Sequence, residues 1–554
     1  MRRRTTIGAG LLGVAVVATT AGVAGVVGAS PATAAPLTFS VTREGHTVQL
    51  FRTAVTRTAV TGNGATRADF DGDGRDDVAA PAFADGQVSF PDTEVVAVRY
   101  SSAPFDDLVA GRFAPGCWGG SLAAGDLDGD GFDDLVIGAP CEPDSATDLD
   151  RAGGVWVVPG SASGLALNRT VHVDQDTPGV PGTSEGDLDD AFGSSLAVGD
   201  LTGDGRDDLA VGNPFENLGA VQDAGTVTLL KGSASGLTTT GARQIDQNLS
   251  WVPGVAETGD QFGAAVAIGR VDRNANADLA IGATWENDEI GMVTLLRGAA
   301  GGVSTTGAAA VTGDAASGAV STDAAVTTLG HFGAPLAIAD TTGDGLGEVV
   351  VGVPGASLST ATRTLLGHGA VVTLAGRAAG LSTAGIRLLH QDSAGVPGAR
   401  EGGDGFGASV DAGDVTGDGR ADVLVGVPGE DLGTTADAGA VTLLRGAAAG
   451  LTGSGAQQWT QADAAVPGAA ETDDAFGWDV ALLNVNGSGP LDAVVTAPGE
   501  QIGGDAPSTV AGSVTTFTGG ATGLTPRTTW SAAAFRTPEF FVQQYGLQVA
   551  GRQG

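Results

Sequence analysis

The chain has 554 residues, of which 64 are acidic and 27 are Lys or Arg, so its formal net charge is −37 at pH 7. This charge argues against nucleic acids and anionic membranes as partners, because both would repel the chain. Hydrophobic residues make up 42% of the sequence, a share that favours a folded core over a disordered acidic chain.

The first 34 residues have the features of a secretory signal peptide. Three arginines follow Met1, an uncharged apolar run covers residues 7–29, and Ala32 and Ala34 form an A-x-A cleavage site. A retained membrane anchor is the competing interpretation, since the run is long enough to allow it, and the export route is left open. No later apolar run approaches this length. We therefore expect a soluble mature chain that is secreted, either extracellular or at the cell surface.

A nine-residue acidic loop recurs seven times along the rest of the chain. It begins at residues 69, 126, 200, 270, 340, 414 and 484. Its fullest form, DLDGDGFDD over residues 126–134, has acids at positions one, three, five and nine and glycines at positions four and six. The seven copies hold 23 of the 64 acidic residues. The excess negative charge is therefore partly a property of these loops.

Each repeat places the loop between two segments of strand character. An aromatic–glycine pair, as at Phe192-Gly193, opens the segment before the loop, and the segment after it ends at a Gly-Ala-Pro-like stop, as at residues 138–140. A third and a fourth strand-like segment follow. This pattern predicts an all-β fold, a seven-bladed β-propeller of four-stranded antiparallel blades.

The repeats also predict the domain organisation. We expect a signal peptide over residues 1–34, N-terminal strands that help to close the propeller over 35–60, and the repeat propeller over 61–554. Residues 545–550 imitate the first strand of a further repeat, and their expected partner is the segment 37–60. Eight blades, with the last shared between the termini, is the alternative.

The acids of one loop can converge on a single hard cation. Ca²⁺ is the expected occupant, because it takes about six to eight oxygen ligands in irregular geometry. Asp-Gly turns without a metal are the competing explanation for one isolated loop, but four neighbouring acids would repel one another without a cation. The loops with four acids contain Asp69, Asp71, Asp73 and Asp77, and Asp126, Asp128, Asp130 and Asp134.

Three further loops have threonine at position three and are expected to bind the metal more weakly. Their predicted ligands are Asp200, Thr202, Asp204 and Asp208; Asp340, Thr342, Asp344 and Glu348; and Asp414, Thr416, Asp418 and Asp422. In the fourth loop Arg270 replaces the first acid, and a guanidinium held by Asp272, Asn274 and Asp278 can stand in for the metal. The seventh loop, residues 484–492, keeps one carboxylate and is at best a weak site.

Cys117 and Cys141 flank the second acidic loop and are the only cysteines in the sequence. In an oxidising compartment we expect them to form a disulfide that ties together the two strands beside that loop. Two free thiols are the alternative.

The succession of Phe-Gly, Asp-x-Asp-Gly-Asp-Gly-x-x-Asp and Gly-Ala-Pro resembles the FG-GAP repeat of the N-terminal propeller of integrin α subunits. The resemblance covers roughly residues 61–554. It implies a seven-bladed propeller with Ca²⁺ in loops between the first two strands of its blades, on the face opposite the main ligand surface. It also implies that the side chains at position seven, Arg75 and Phe132 in the first two loops, do not bind the metal and are free to vary.

Together these features predict a calcium-binding recognition or adhesion module, expected to be a monomer, whose ligand is an extracellular protein or a glycan. An enzyme is not expected, since the five histidines form no recognisable nucleophile or zinc motif. A secreted hydrolase and a purely structural surface scaffold are the alternatives. Loops of the opposite face carry the candidate contact residues, although packing between blades is the competing role for the aromatic ones: Trp251, Trp285, Phe215, Glu216, Glu257, Asp260, Glu286, Asp288, Glu430 and Asp431.

Overall fold

The structure is a computed structural model of the chain, and it confirms the predicted all-β propeller with seven antiparallel blades. In blades 2 to 7, each strand pairs with the next strand of the same sheet along the chain. The described residues are 37–43, 46–52, 67–85, 93–101, 106–111, 118–145, 148–182, 190–319, 329–359, 364–377, 380–501, 512–531 and 541–543. The signal peptide and the strand predicted over residues 545–550 lie outside these ranges.

Blades 2 to 7 are four-stranded sheets in which the second strand carries a short, continuous apolar run. In blade 2 this run is Leu135, Val136 and Ile137, all fully buried, as expected for a central strand covered on both faces. From the inner to the outer edge, the strands of blades 2, 3 and 4 are Ser121–Gly125, Asp134–Ala139, Gly154–Val158 and Val171–Val173; Ser195–Gly199, Asp208–Asn213, Thr226–Lys231 and Thr238–Ile245; and Phe262–Gly269, Asp278–Ala283, Met292–Leu296 and Ala309–Thr312.

The same order continues around the ring. The strands of blades 5, 6 and 7 are Leu336–Ala339, Glu348–Val353, Ala370–Arg377 and Gly380–Leu389; Val410–Gly413, Asp422–Val427, Ala440–Arg445 and Thr452–Trp459; and Val480–Leu483, Asp492–Ala497, Ser513–Thr518 and Thr525–Ser531. Three short hairpins pair Pro143–Ser145 with Asp148–Arg151, Gly298–Ala299 with Gly302–Val303, and Leu358–Ser359 with Thr364–Leu365. The helical segments described are the 3₁₀ turn Leu167–Arg169, the short turn Glu286–Glu289 and the helix Gly313–Ala319.

Blade 1 combines both ends of the described chain. Its inner strand is the C-terminal segment Phe541–Gln543, which pairs with Val78–Asp85. Thr93–Arg99 and Asp106–Gly111 follow outward, and the hairpin of His46–Arg52 and Leu37–Arg43 extends the outer edge to six strands.

The expected pairing of residues 545–550 with the segment 37–60 falls outside the described residues and stays a prediction. Within the described residues, Phe541–Gln543 takes the inner-strand place of blade 1, and the N-terminal hairpin lies at the opposite edge of the same sheet.

The hydrophobic core lies between neighbouring blades. The phenylalanines of the aromatic–glycine pairs are fully buried at 192, 262, 332, 406 and 476, and each packs with residues from the preceding blade. Burying one phenylalanine contributes roughly 1.5–3 kcal/mol. Trp118 takes this place in blade 2, where its indole N–H donates to the carbonyl of Val109 in blade 1 at 3.0 Å.

Backbone hydrogen bonds join the seven acidic loops into a closed ring. In every loop the N–H at position eight donates to the carbonyl at position one of the loop before it, over 2.7–3.1 Å. The donor and acceptor pairs are Asp133 and Asp69, Asp207 and Asp126, Ala277 and Asp200, Gly347 and Arg270, Ala421 and Asp340, Leu491 and Asp414, and Asp76 and Asn484. The last pair closes the ring between blades 1 and 7.

Arg67 adds a second closing contact near the centre of the ring. Its guanidinium donates to the carbonyl of Leu482 in blade 7 at 2.9 Å and to that of Ala412 in blade 6 at 3.1 Å. One side chain of blade 1 thus bonds to the inner strands of two other blades.

On the opposite face the buried phenylalanine also bonds to its neighbour through the backbone. The N–H of Phe476 donates to the carbonyl of Ala438 at 3.0 Å, directly before the third strand of blade 6. The next residue, Gly439, has a φ of 83°, and a Cβ placed there would lie 2.3 Å from the carbonyl oxygen of Phe476. Glycine is required at this position because the φ angle is positive and because a Cβ would clash with the carbonyl oxygen of Phe476.

We expect Gly439→Ala to destabilise the protein markedly. The matched control is Gly433→Ala, because Gly433 has a φ of 71° but no atom within 4 Å of the place that an added methyl group would take. Both variants carry the strain of a positive φ, and only Gly439→Ala adds a clash of about 1–3 kcal/mol. Urea denaturation should give a clearly lower midpoint for Gly439→Ala than for Gly433→Ala, and equal midpoints would contradict this account of the blade contact.

Candidate functional site

Where a loop begins with an aspartate, that acid folds the loop around itself. In the second loop the carboxylate of Asp126 accepts the backbone N–H groups of Gly129, Asp130 and Gly131 at 2.7, 3.1 and 2.9 Å. The two glycines have φ values of 74° and 86°, which other residues seldom adopt. The first acids of the third, fifth and sixth loops make the same three contacts. The loop shape is therefore built by its own acid and glycines.

The acid at position nine attaches the loop to the rest of its blade. One oxygen of Asp134 accepts the N–H of Leu127 at 3.2 Å, and the other accepts the N–H of Gly160, beyond the third strand, at 3.0 Å. Asp77 bonds in the same way to Phe70 and Ser101 at 3.1 and 2.9 Å. This predicted ligand thus has a structural role as well.

Carboxylates converge in the first two loops. Oxygens of Asp69, Asp71 and Asp77 lie within 4.8 Å of one another, and so do oxygens of Asp126, Asp128 and Asp130. The first cluster is buried, and in the same loop the Oδ2 of Asp73 is buried without a hydrogen-bond partner. Several hard oxygen donors around one point suit a divalent cation such as Ca²⁺. Acidic clusters that can hold a metal are therefore present.

Burial and mutual repulsion disfavour the charged form of these acids. Burial and, to a smaller extent, the nearby Asp71 together raise the pKa of Asp69 to about 6. Burial and the same neighbour place the pKa of Asp77 well above its usual range, and burial does so for Asp134. A bound cation would offset this repulsion, because it attracts every carboxylate of the cluster.

In two of the three weaker loops the threonine turns toward the first acid. The hydroxyl of Thr202 lies 3.4 Å from Asp200, and that of Thr342 lies 3.2 Å from Asp340. In the fifth loop Glu348 accepts both the N–H and the hydroxyl of Thr341, at 2.9 and 2.7 Å. Among the described residues, no group of three acids converges within 4.8 Å in these loops. Metal binding by these loops stays a prediction.

The fourth loop differs from its expected arrangement. Arg270 is exposed and donates to the carbonyl of Ala275 at 3.0 Å. The arginine beside the acids is instead Arg297, whose Nε lies 3.8 Å from Asp272. Asp278 holds the loop through backbone N–H groups. The physical reason is the position of the two arginines. Arg297 follows the third strand at a turn beside the loop, whereas the side chain of Arg270 is exposed to solvent.

In the seventh loop an amide takes the place of converging acids. The side-chain amide of Asn486 donates to Asp492 at 2.6 Å, and the N–H of Asn486 donates to the same carboxylate at 2.9 Å. This internal bonding supplies the donors that the lone carboxylate needs.

The acid at position eight is a structural residue that the sequence reasoning missed. The carboxylates of Asp133 and Asp207 accept the N–H at position one of the preceding loop, Asp69 at 2.7 Å and Asp126 at 3.0 Å. Burial raises the pKa of Asp207 to about 7. The doubled acid that ends the first three loops was the available signal.

In several loops the side chain at position seven lies against a neighbouring loop, and the implied freedom of this position to vary stays a prediction. Arg75 lies against Gly487 of the seventh loop, and Arg206 lies against Gly129 of the second. Each of these glycines is at position four, where the missing side chain leaves room for the neighbouring arginine.

Several candidate contact residues of the opposite face are engaged within the protein. Glu216 accepts the amide of Gln175 at 2.5 Å, and Glu286 accepts that of Gln247 at 2.6 Å. Gln391 bonds to Glu430 and Gln461 to Glu500 in the same way. Each pair joins the end of one blade to the next blade, which is a structural role.

The aromatic candidates divide into packed and exposed side chains. Trp251 is half-buried, with the guanidinium of Arg243 5.5 Å from its ring, and Phe215 is also half-buried. Trp285 is 42% exposed and lies edge-on to His331 at 4.7 Å. Trp478, which was not predicted, is 49% exposed directly after an aromatic–glycine pair. Trp285 and Trp478 are therefore the aromatic side chains this face offers to a ligand.

A family model described as the FG-GAP repeat matches residues 118–158, 192–230 and 406–444. The chain contains FG-GAP repeats. The matches fall in blades 2, 3 and 6, and each runs from the aromatic–glycine pair or its tryptophan variant through the acidic loop to the third strand. The FG-GAP loop is thus the acidic loop described above.

Curated relatives of this FG-GAP chain include integrin α chains. It is 33% identical over 227 residues to integrin alpha-PS2 of Drosophila melanogaster and 31% identical over 230 residues to integrin alpha pat-2 of Caenorhabditis briggsae. Each alignment covers 40% of this chain, but only 15% and 17% of the relatives. The chain therefore corresponds to a small part of those proteins.

Solved structures with an overall likeness include two rhamnogalacturonan lyases. YesX aligns over 89% of this chain and 82% of its own, with 12% identity and a TM-score of 0.34. The Bacillus licheniformis lyase PL11 aligns over 93% and 90%, with 10% identity and a TM-score of 0.29. Likeness at this level carries no argument about activity.

Two sequence expectations concern residues outside the described ranges. Cys117 lies in such a range, so its disulfide with Cys141 stays a prediction. The apolar run over residues 7–29 does as well, and within the described residues no helix is both long and apolar enough to cross a membrane.

Because Glu500 is buried against Gln461, we expect the stability of the folded protein to depend on pH. Burial raises the pKa of Glu500 from 4.5 to about 8, with a further contribution from Asp474. The folded chain thus holds the Glu500 proton more tightly than the unfolded chain. The resulting stabilisation is complete below about pH 4.5 and is lost as the pH rises through about 8.

We expect Glu500→Gln to remove this component, because the amide stays neutral and its oxygen can still accept from Gln461. Melting temperatures measured between about pH 5 and pH 9 should fall more for the wild type than for the variant. Glu289→Gln, at an exposed position, is the control and should follow the wild type. Parallel curves for Glu500→Gln and the wild type would show that Glu500 is ionised throughout.

Proposed function

We propose that this protein is a secreted, calcium-binding recognition or adhesion module whose ligand, a protein or a glycan, binds the face opposite the FG-GAP loops. The observation that carries the proposal is the convergence of buried carboxylates from Asp69, Asp71 and Asp77 within 4.8 Å, in a propeller with integrin α relatives. The proposal includes cleavage after residue 34, a Cys117–Cys141 disulfide, a monomeric state and the absence of enzymatic activity.

Calcium has a structural role in this proposal. Ca²⁺ in the first loop would be held by Asp69, Asp71, Asp73 and Asp77, and in the second by Asp126, Asp128, Asp130 and Asp134. Neutralising these acids relieves their repulsion within the fold. A ligand that binds only the folded state stabilises it by mass action, by about 2.7 kcal/mol per site at a hundred times its dissociation constant.

We expect Ca²⁺ to raise the melting temperature well above the value in chelator or in Mg²⁺, because Mg²⁺ requires a stricter octahedral geometry. Metal counting should find about one ion fewer in Asp71→Asn and in Asp128→Asn than in the wild type. Asp288→Asn, an exposed acid outside the loops with the same loss of charge, should keep the full count. No calcium-dependent rise and no bound ion would refute the calcium proposal.

The ligand surface is proposed around Trp285 and Trp478. Both side chains are about half exposed, and an exposed indole suits either stacking on a sugar or anchoring a protein. Beside Trp285, the residues Asn287, Asp288 and Glu289 all have positive φ values. Backbone strain of this kind persists only where surrounding structure enforces it, often at binding sites.

We expect Trp285→Ala and Trp478→Ala to reduce ligand capture at least about tenfold, since a buried aromatic anchor typically contributes 1.4 kcal/mol or more to binding. Binding to glycan arrays and to extracellular protein fractions measures this, with melting temperature as the check on folding. Phe39→Ala, an exposed aromatic on the outer edge of blade 1, is the control. Turnover of a glycan or ester substrate would support the hydrolase alternative instead, and a chain that captures nothing would support the scaffold.

A further inference from the structure

A guanidinium already contacts the acids of the second loop. Arg169 forms an ion pair with Asp128 through one terminal nitrogen, and the other lies 3.4 Å from Asp130. Asp128 is almost fully buried, whereas the arginine side chain is 41% exposed. The arginine therefore reaches from solvent onto two of the proposed calcium ligands.

Arg169 is brought to this position by an anchored segment. It ends the 3₁₀ turn Leu167–Arg169, in which Leu167 is buried. Just before this turn, Leu165 donates its N–H to the hydroxyl of Tyr100 at 2.9 Å and accepts from Arg52 at 2.8 Å. The turn is thus tied to blade 1 and to the N-terminal hairpin. An arginine on such a base loses little further freedom when it pairs with the loop.

The other two acids of the loop have less remaining capacity for a cation than this pair. Both oxygens of Asp126 accept backbone N–H groups, and so do both oxygens of Asp134. Asp128 and Asp130 are therefore the members of the cluster with the most capacity to bind a cation. Arg169 contacts these two acids.

We propose that Arg169 is an internal competitor of the cation in the second loop, so that Ca²⁺ must displace the guanidinium from Asp128 and Asp130. The inference rests on the proposed calcium binding and adds to it a residue that lowers the affinity of one site. Filling of the second loop then also releases the turn Leu167–Arg169 from its contact with the loop. The second site fills at a higher calcium concentration than its four acids alone would dictate.

Among the described residues, arginines also lie near loop acids in three other blades, and within their own loops Arg206 lies 3.8 Å from Asp204 and Arg420 lies 3.3 Å from Asp418. Arg297 lies 3.8 Å from Asp272 of the fourth loop, and Arg445 lies 3.5 Å from Asp422 of the sixth. Both arginines directly follow or end a third strand. Arg169 differs because it contacts two acids of a loop that has all four.

The test is a calcium titration, monitored by calorimetry, of the full mature chain as wild type and as Arg169→Gln. If the paired state is about 90% populated, removing the competitor tightens the second site about tenfold. Asp128→Asn in both backgrounds identifies which binding step belongs to the second loop. Arg377→Gln is the control, because Arg377 is exposed and donates to the carbonyl of Ala384 rather than to an acid of a loop.

The melting temperature supplies a second readout, because the effect of the substitution should differ between chelator and calcium. In chelator, Arg169→Gln should melt below the wild type, because the acids lose their internal counter-charge. In saturating calcium that deficit should shrink or reverse, whereas a purely structural arginine would give the same deficit in both buffers. Arg169→Lys, which keeps the charge but not the two-pronged contact, should give an intermediate affinity.

The outcomes separate this inference from the proposed function. A wild-type chain that binds calcium, with Arg169→Gln equal or weaker in affinity at the second loop, would overturn the inference alone. If neither chain binds calcium at any loop, the proposed function itself fails.

Discussion

The closed ring of backbone hydrogen bonds between neighbouring loops is the constraint on which the rest of the fold depends. Each loop presents its first carbonyl to the N–H at position eight of the next loop, so all seven loops share one register. The fourth and seventh loops keep these bonds although they have lost most of their acids, because only backbone atoms take part. The ring is therefore independent of metal, and the side chains are left to vary between blades.

Because only backbone atoms form the ring, the side chains of the loop acids can serve other purposes. The acids at positions one and nine fold the loop and attach it to its blade, as Asp126 and Asp134 show. Where two more acids are added, the same frame becomes crowded with buried carboxylates whose pKa values rise. In the second loop a guanidinium from Arg169 faces this charge, whereas the single carboxylate of the seventh loop bonds to the amide of Asn486.

The opposite face is organised by a different contact. Glutamine–glutamate pairs such as Gln247–Glu286 connect successive blades, and buried phenylalanines bond to the neighbouring blade through their backbone. Acids that look available for a ligand are thereby used in holding the blades together. Other candidate acids, such as Glu257, Asp288 and Asp431, stay exposed, as do the indoles of Trp285 and Trp478.

The sequence alone determined the features that repeat within one blade: the strand order, the loop with its acids and glycines, the buried phenylalanine and the number of blades. These are local patterns, so their spacing along the chain carries their structure. Contacts between distant residues were decided only by the tertiary structure, including Arg67 with Leu482, Asp76 with Asn484, and Phe541–Gln543 with Val78–Asp85. The placement of Arg169 over Asp128 and of Arg297 beside Asp272 belongs to the same class. Such pairings depend on where each side chain lies at the boundary between two blades. Residue spacing in the sequence does not contain that information.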